Sequence, residues 1–256
     1  MIAKTTLAII LLASISMAFS IKPINKHLSI DSGFAVVELF TSEGCSSCPP
    51  ADALVAKIEK ENYNKSVYIL AYHVDYWDRL GWKDSFSNPK FSARQNQYAN
   101  WLNLQSVYTP QIIVNGTKEF VGSEESTLRK AISTALSANT ASSIQMKLTK
   151  QEGNFLTLSY AVNQATENDD LVIALINTNA ISKILKGENK GKTLSHVQIV
   201  NQFETFSLNG KKNGSVEITS QKLKNSQAIQ IIAFLQNKKT GKISSATKIE
   251  KAMTNS

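Results

Sequence analysis

The chain has 256 residues, 42% of them hydrophobic, which is enough for one large domain or two modest ones with an ordinary globular core. Its net charge of +8 is concentrated at one end: residues 181–256 hold 13 Lys, 4 Glu and neither Arg nor Asp. Lysine dispersed among Asn, Gln and Ser, without Arg or interleaved aromatics, argues against nucleic acid and reads as a solvated sheet surface. An anionic partner, such as a membrane surface or an acidic protein, is the alternative.

Residues 1–20 read as an export signal, with Lys4 as the positive start, Leu7 to Ile15 as the apolar middle and small residues after it. Cleavage fits after Ala18 or after Ser20; an uncleaved anchor is the other reading, although the apolar stretch is short for a membrane span. The expected location is therefore periplasmic or extracellular, where disulfides persist. Residues 21–33 form a polar leader.

Phe34 to Phe40 is short, rich in Val and bounded by Gly33 and Thr41-Ser42, which predicts a strand. The chain's two cysteines then fall in one motif, Cys45-Ser46-Ser47-Cys48, followed by Pro49 and Pro50. Ala51, Leu54, Val55 and Ile58 recur with helical spacing, so the motif opens a helix. Two prolines in succession imply either a distorted start or a helix beginning at Pro50. Val67 to Asp75 is apolar on both alternating faces, the pattern of a central strand covered on both sides.

Residues 76–88 read as an irregular surface segment. Asn88-Pro89 opens a helix to about Leu104, with Phe91, Tyr98 and Trp101 among its candidates for burial. After Thr109-Pro110, two short strands flank Asn115-Gly116, a hairpin signal. Ser123 is the expected cap of a last helix whose buried stripe is Leu128, Ala131, Ile132 and Leu136.

This order resembles the thioredoxin fold, a βαβ unit joined to a ββα unit. Three features carry the resemblance: Cys45-Ser46-Ser47-Cys48 after the first strand, Thr109-Pro110 before the hairpin, and the closing helix. The wording from Glu38 to Asp52, with His73-Val74-Asp75-Tyr76-Trp77, Tyr108-Thr109-Pro110-Gln111 and Val114-Asn115-Gly116, is similar to a family of secreted thioredoxin-like proteins known only as a domain of unknown function. The resemblance implies that Pro110 is cis, faces the cysteines, and presents backbone groups to an extended substrate. It also implies a buried carboxylate beneath them. Glu38 is the nearest candidate, one residue too far from Cys45, while Leu39 holds the matching spacing.

Residues 139–143 read as a linker. Beyond it come seven candidate strands: 144–149, 155–162, 171–178, 195–206, 215–218, 228–236 and 242–248. The expected architecture is thus an α/β thioredoxin-like domain with an inserted helix over 21–138, followed by a mostly-β sandwich-like domain over 144–256. No catalytic constellation stands out in the second part.

A bridge closing so short a loop removes little chain entropy, about 2 kcal/mol, so the two cysteines point to chemistry more than to stapling. The attacking species in disulfide exchange is a thiolate, and a helix N-terminus lowers a thiol below its usual value of about 8.5. Cys45 is the expected nucleophile, Cys48 the resolving thiol, and Gly44 the position that lets a partner approach. His73 and Asp75 end the central strand, where open α/β sheets place their sites, although fixing the next loop suffices to explain them. Tyr76, Trp77 and Trp82 read as core or lid packing; His27 and His196 read as isolated.

The leading reading is an exported thiol–disulfide oxidoreductase, or redox-active protein, acting on protein or small-molecule thiols and disulfides. It calls for no cofactor and no metal. One alternative is a Cu(I)-binding or metallochaperone module using Cys45, Cys48 and His73, since two thiolates suit Cu(I). Another is a non-catalytic binding protein whose basic C-terminal part does the work. A closed zinc site is disfavoured, because four ligands are hard to find with so few Cys and His.

Overall fold

The first strand is buried along its whole length because its two faces enter two different cores. In the computed structural model, which describes residues 33–220 and 229–250, β1 (Ala35–Thr41) turns Val36 and Phe40 to one side and Ala35, Val37 and Leu39 to the other. The expected export signal, most of the polar leader, and His27 lie outside the described residues. The order then runs α1 (Pro49–Glu61), β2 (Val67–His73), one 3-10 turn at Asp78–Leu80, α2 (Pro89–Leu102), β3 (Gln111–Val114), β4 (Lys118–Val121) and α3 (Glu125–Leu136). These bounds follow the periodicities closely. Asn88 caps α2 by accepting from Lys90 N at 2.9 Å, and Asn115 and Gly116 both take positive φ in the β3–β4 turn. Glu124, not Ser123, is the cap residue of α3.

Among the described residues the elements of the C-terminal half are all strands: β5 (Ile144–Glu152), β6 (Phe155–Val162), β7 (Asp169–Lys183), β8 (Thr193–Ser207), β9 (Asn213–Thr219), β10 (Ile229–Asn237) and β11 (Ile243–Glu250). Each of the seven candidate strands is present, with β7 and β8 considerably longer than their apolar cores.

The expected fold class is corrected. There is no thioredoxin-like α/β domain followed by a separate sandwich: eleven strands and three α-helices are described, and eight strands form one mixed sheet in the order β11-β10-β7-β8-β2-β1-β3-β4. The two halves meet where β8 pairs in parallel with β2, at Ala71 and Ile199. The remaining strands, β5-β6-β9, make a small second sheet.

Side-chain alternation explains why the halves merge. Val172, Ala174 and Ile176 of β7, with Ile232 and Phe234 of β10, share one core with Phe40, Leu70, Tyr72 and the α2 residues Phe91 and Tyr98. The intervening residues Leu171, Ile173, Leu175, Ile231, Ala233 and Leu235 face the three-stranded sheet. On the N-terminal half that same side is covered by α1 and α3. One helix, α2, therefore lies over a core built from both halves.

The β7–β8 hairpin carries the C-terminal half back to the cysteines. Its register shifts between Leu175 and Ile176, and Gln198 takes a positive φ of 53°. Such bulges bend a ribbon and re-aim its far end. Beyond the bend, β8 passes along α1, where Gln198 Nε2 donates to Glu59 Oε1 at 3.4 Å.

Candidate functional site

Cys45 and Cys48 are joined in a disulfide, with Cα atoms 5.4 Å apart. The helix begins at Pro49, with Cys48 as its cap residue and prolines in its first two positions. Two of the amides that a helix N-terminus normally offers are therefore missing. Cys45 lies a turn earlier, and its Sγ sits 3.3 Å from Ser47 Oγ and 3.8 Å from the Thr109 carbonyl oxygen. The Thr109-Pro110 bond is cis, as the resemblance implied. Of its backbone groups, the Thr109 carbonyl faces Cys45, whereas Pro110 O accepts from Gly122 N at 2.8 Å within the sheet.

Both cysteines are 0% exposed, whereas Ser46 and Ser47 between them are exposed. Gly44 does not offer an approach to a partner. It is buried, and a Cβ there would stand 3.3 Å from the Trp77 Cβ, so the small residue admits Trp77. Trp77 Nε1 in turn donates to Thr109 Oγ1 at 2.8 Å.

Beneath the motif lies a cluster of buried ionisable groups, assembled from the ends of β1 and β2, the first turn of α1, the segment after the 3-10 turn, and β8. His73 Nδ1 is 2.6 Å from Asp84 Oδ2, which also accepts from Glu43 N at 2.9 Å. His196 Nε2 is 3.4 Å from Glu43 Oε1, and its Nδ1 is 4.0 Å from Asp52 Oδ2. The two imidazole rings cross edge to face at 4.9 Å. Asp52 follows Cys48 by one helical turn, so the two side chains share a face of α1. The other Glu43 oxygen accepts from Trp82 Nε1 at 2.7 Å.

Burial and charge compete in this cluster. Burial dominates at Asp52, whose carboxyl is pushed up from 3.8 to about 6 despite both histidines and the Thr41 hydroxyl. At His73 burial favours the neutral ring, but the charge and hydrogen bond of Asp84 outweigh it and the net shift is upward. Burial would likewise raise Asp84, yet His73 and the Glu43 and Phe86 amides hold it below its ordinary value. Burial is also the largest influence on Glu43, offset by His196, Ser182 and Trp82 to a net lowering. Among the described residues, Glu43 Oε1, His73 Nε2 and both His196 nitrogens have no well-aligned hydrogen-bond partner, His196 Nε2 and Glu43 Oε1 meeting as an ion pair at 3.4 Å. Among the described residues no three His, Cys, Asp or Glu side chains are arranged to hold a metal ion.

Glu38 is placed elsewhere. Its carboxylate accepts from Arg94 Nε at 2.6 Å and from the Tyr98 hydroxyl, inside the core under α2. Asp75 anchors α2 through Ser92. Sequence reasoning missed Asp52, Asp84 and Glu43 as members of the buried cluster, and His196 is not isolated but central to it. A signal for Asp52 was present, since a carboxylate four residues after Cys48 falls on the apolar face of α1. Asp84 and His196 carry no comparable local mark.

A second missed feature is the tip of the β7–β8 hairpin, which lies across the motif. Asn189 Nδ2 donates to the carbonyl oxygens of Glu43 and Cys45, each at 2.9 Å, and Ser46 N donates to Glu188 Oε2 at 3.0 Å.

A family model matches residues 36–236, most of the chain, and its description reads protein of unknown function, DUF1223. The chain belongs to the DUF1223 family. The match spans both the cysteine motif and the hairpin, and so runs through both halves of the mixed sheet. Protein AGR_C_4864 from Agrobacterium tumefaciens, solved by X-ray crystallography, is similar with 26% identity over 86% of this chain and 96% of its own, at a TM-score of 0.66. A beta-glucosidase from Kluyveromyces marxianus matches 43% of this chain and 14% of its own at 14% identity and a TM-score of 0.22, too weak a likeness to carry an argument. No curated protein matches the chain.

Proposed function

We propose that this DUF1223 protein is an exported thiol–disulfide redox protein that uses Cys45 and Cys48. The observation that carries this reading is the position of the disulfide: it opens α1 at the end of a central strand, directly above a buried cluster of two histidines and three carboxylates. A staple alone has no use for buried ionisable groups with unmade hydrogen bonds, which cost stability and concentrate at reactive sites.

The exchange is written as follows. A partner thiolate attacks Cys45 Sγ, the S–S bond breaks, and its electron pair goes to Cys48 Sγ, which takes a proton. A second partner thiol, deprotonated, then attacks the partner sulfur of the mixed disulfide and releases Cys45 as thiolate. The partner leaves oxidised and the pair reduced; the reverse sequence oxidises the pair. Cys45 is the attacked sulfur because Ser47 Oγ and the Thr109 carbonyl flank it, whereas Cys48 caps the helix. Export is supported by the signal-like residues 1–20 and by the disulfide. No helix among the described residues is long and apolar enough to cross a membrane.

A second reading is favoured by the burial of both sulfurs: a binding protein whose disulfide is structural. Cys48→Ser in the full chain separates the two. Exchange predicts covalent adducts between Cys45 and thiol partners that dissolve on reduction; absence of adducts, together with no activity of the native protein on model disulfides, establishes the structural reading.

A further inference from the structure

Both sulfurs are covered, yet the hairpin tip that crosses the motif is held there by few groups. Residues 184–192 form a turn closed on itself: Ile184 N donates to Lys192 O at 2.9 Å, Gly191 N to Ile184 O at 2.8 Å, and Lys192 N to Asn189 O at 3.0 Å. The tip is therefore a preformed unit that can move without breaking its own bonds. Its hydrogen bonds to the motif come from the side chains of two consecutive residues, while Ile184 at its base is buried. Asn189, fully buried, has its amide nitrogen on the Glu43 and Cys45 carbonyls, and Lys192 Nζ fixes its Oδ1 at 2.9 Å. Glu188, exposed, accepts the Ser46 amide proton. Gly187 rests against Trp82, where a Cβ would come within 3.2 Å of the Trp82 Cβ.

We propose that this tip is a latch over the Cys45–Cys48 pair, in which Glu188 and Asn189 are positioning residues that keep the disulfide covered and release it to a partner when the tip lifts. The proposal rests on reading the pair as an exchanging one. Release changes chemistry as well as access. Pro49 and Pro50 contribute no amide protons, which leaves the Ser46 amide as a donor close to Cys45 that the closed latch occupies. The Glu188 carboxylate sits on the amide of the residue next to Cys45, and a negative charge there disfavours a thiolate. Lifting the tip frees the amide, withdraws the charge and uncovers the sulfur together.

The test uses the full-length oxidised protein and an uncharged, water-soluble trialkyl phosphine. The phosphine reduces the disulfide, itself becoming phosphine oxide with an oxygen from water, and being neutral it does not respond to removal of a surface charge. The native protein is expected to react slowly, and Glu188→Ala and Asn189→Ala about tenfold faster, the effect of losing one or two hydrogen bonds that hold the closed state. Glu188 is exposed, so its variant keeps the readout available if Asn189→Ala does not fold. After reduction, the pH profile of Cys45 alkylation in Glu188→Ala should move to lower pH, which a merely structural contact would not produce. An unchanged reduction rate in Glu188→Ala, or a native protein as reactive as a small open disulfide, overturns the latch. The phosphine reports covering whether or not a biological partner exists. A fast Glu188→Ala without adducts in Cys48→Ser retains the latch and sinks the exchange reading, and adducts with an unchanged rate do the opposite.

Discussion

Two buried clusters of charge tie the halves of this molecule together, and they differ in how fully their hydrogen bonds are made. Under α2, Glu38 is bound by Arg94 and Tyr98, Arg94 reaches Gln236 Oε1 at 3.1 Å, and Gln236 Nε2 bonds Tyr98 at 2.8 Å and the Gly241 carbonyl at 2.7 Å. Under the cysteines, Glu43, Asp52, His73, Asp84 and His196 lie equally deep, but several of their polar atoms lack partners. Among the described residues, the first network lacks a partner at the neighbouring Tyr72 hydroxyl, whereas the second lacks partners at Glu43 Oε1, His73 Nε2 and both His196 nitrogens. The first cluster holds β10 to the N-terminal half. The second lies where the proposed chemistry is.

The sharpest way to break this contrast is Arg94→Met. It leaves the Glu38 carboxylate buried and uncompensated, and a loss of about 3–5 kcal/mol in urea unfolding is expected, with the cysteines' reactivity unchanged if the chain still folds. A loss under about 1 kcal/mol would show that the network is dispensable.

The second cluster answers to pH instead. Asp52 has a folded value of about 6 against 3.8. The unfolded chain therefore releases this proton first as pH rises, and stability falls between pH 3.8 and about 6. The loss is on the order of 3 kcal/mol at about 1.4 kcal/mol per unit, and Asp52→Asn should flatten that part of the profile. His73 is raised, so its contribution is present below 6.5 and is lost as pH climbs through its folded value. Urea titrations of native protein and Asp52→Asn across pH 4–7 check both signs; identical slopes would show that Asp52 is ionised throughout.

Reducing the disulfide should lower stability by a smaller amount, about 2 kcal/mol, because its loop is so short. A much larger drop on adding reductant, seen as a shifted unfolding midpoint, would favour the structural reading of the pair. The smallest effect belongs to exposed charges. Lys57→Ala breaks a pair with Glu125 that is open to water and should leave the midpoint where it was.

The legible parts of the fold were those written within a few residues. Alternation in 155–162 placed β6, and helical spacing from Ala51 to Ile58 placed the body of α1, which runs from Pro49 to Glu61. The small, polar stretch 139–143 looked like a domain boundary, but it is only the passage from α3 to β5. The candidate site was half legible. Cys45, Cys48 and Thr109 were visible by motif and do lie together, with the cis bond to Pro110 following the Thr109 carbonyl that faces Cys45. Residues 76–88 read as surface loop, because nothing in the segment shows that Asp84 turns inward to His73.

By itself the sequence determined where strands and helices form and which two residues hold the paired sulfurs, since both depend on neighbours along the chain. Only the tertiary structure decided that β8 joins β2, that His196 sits over Glu43, and that Glu188 and Asn189 cross the disulfide from 142 and 144 residues away. Such contacts reflect how layers pack and which buried polar groups find partners, and distant pairings of that kind leave no periodicity behind.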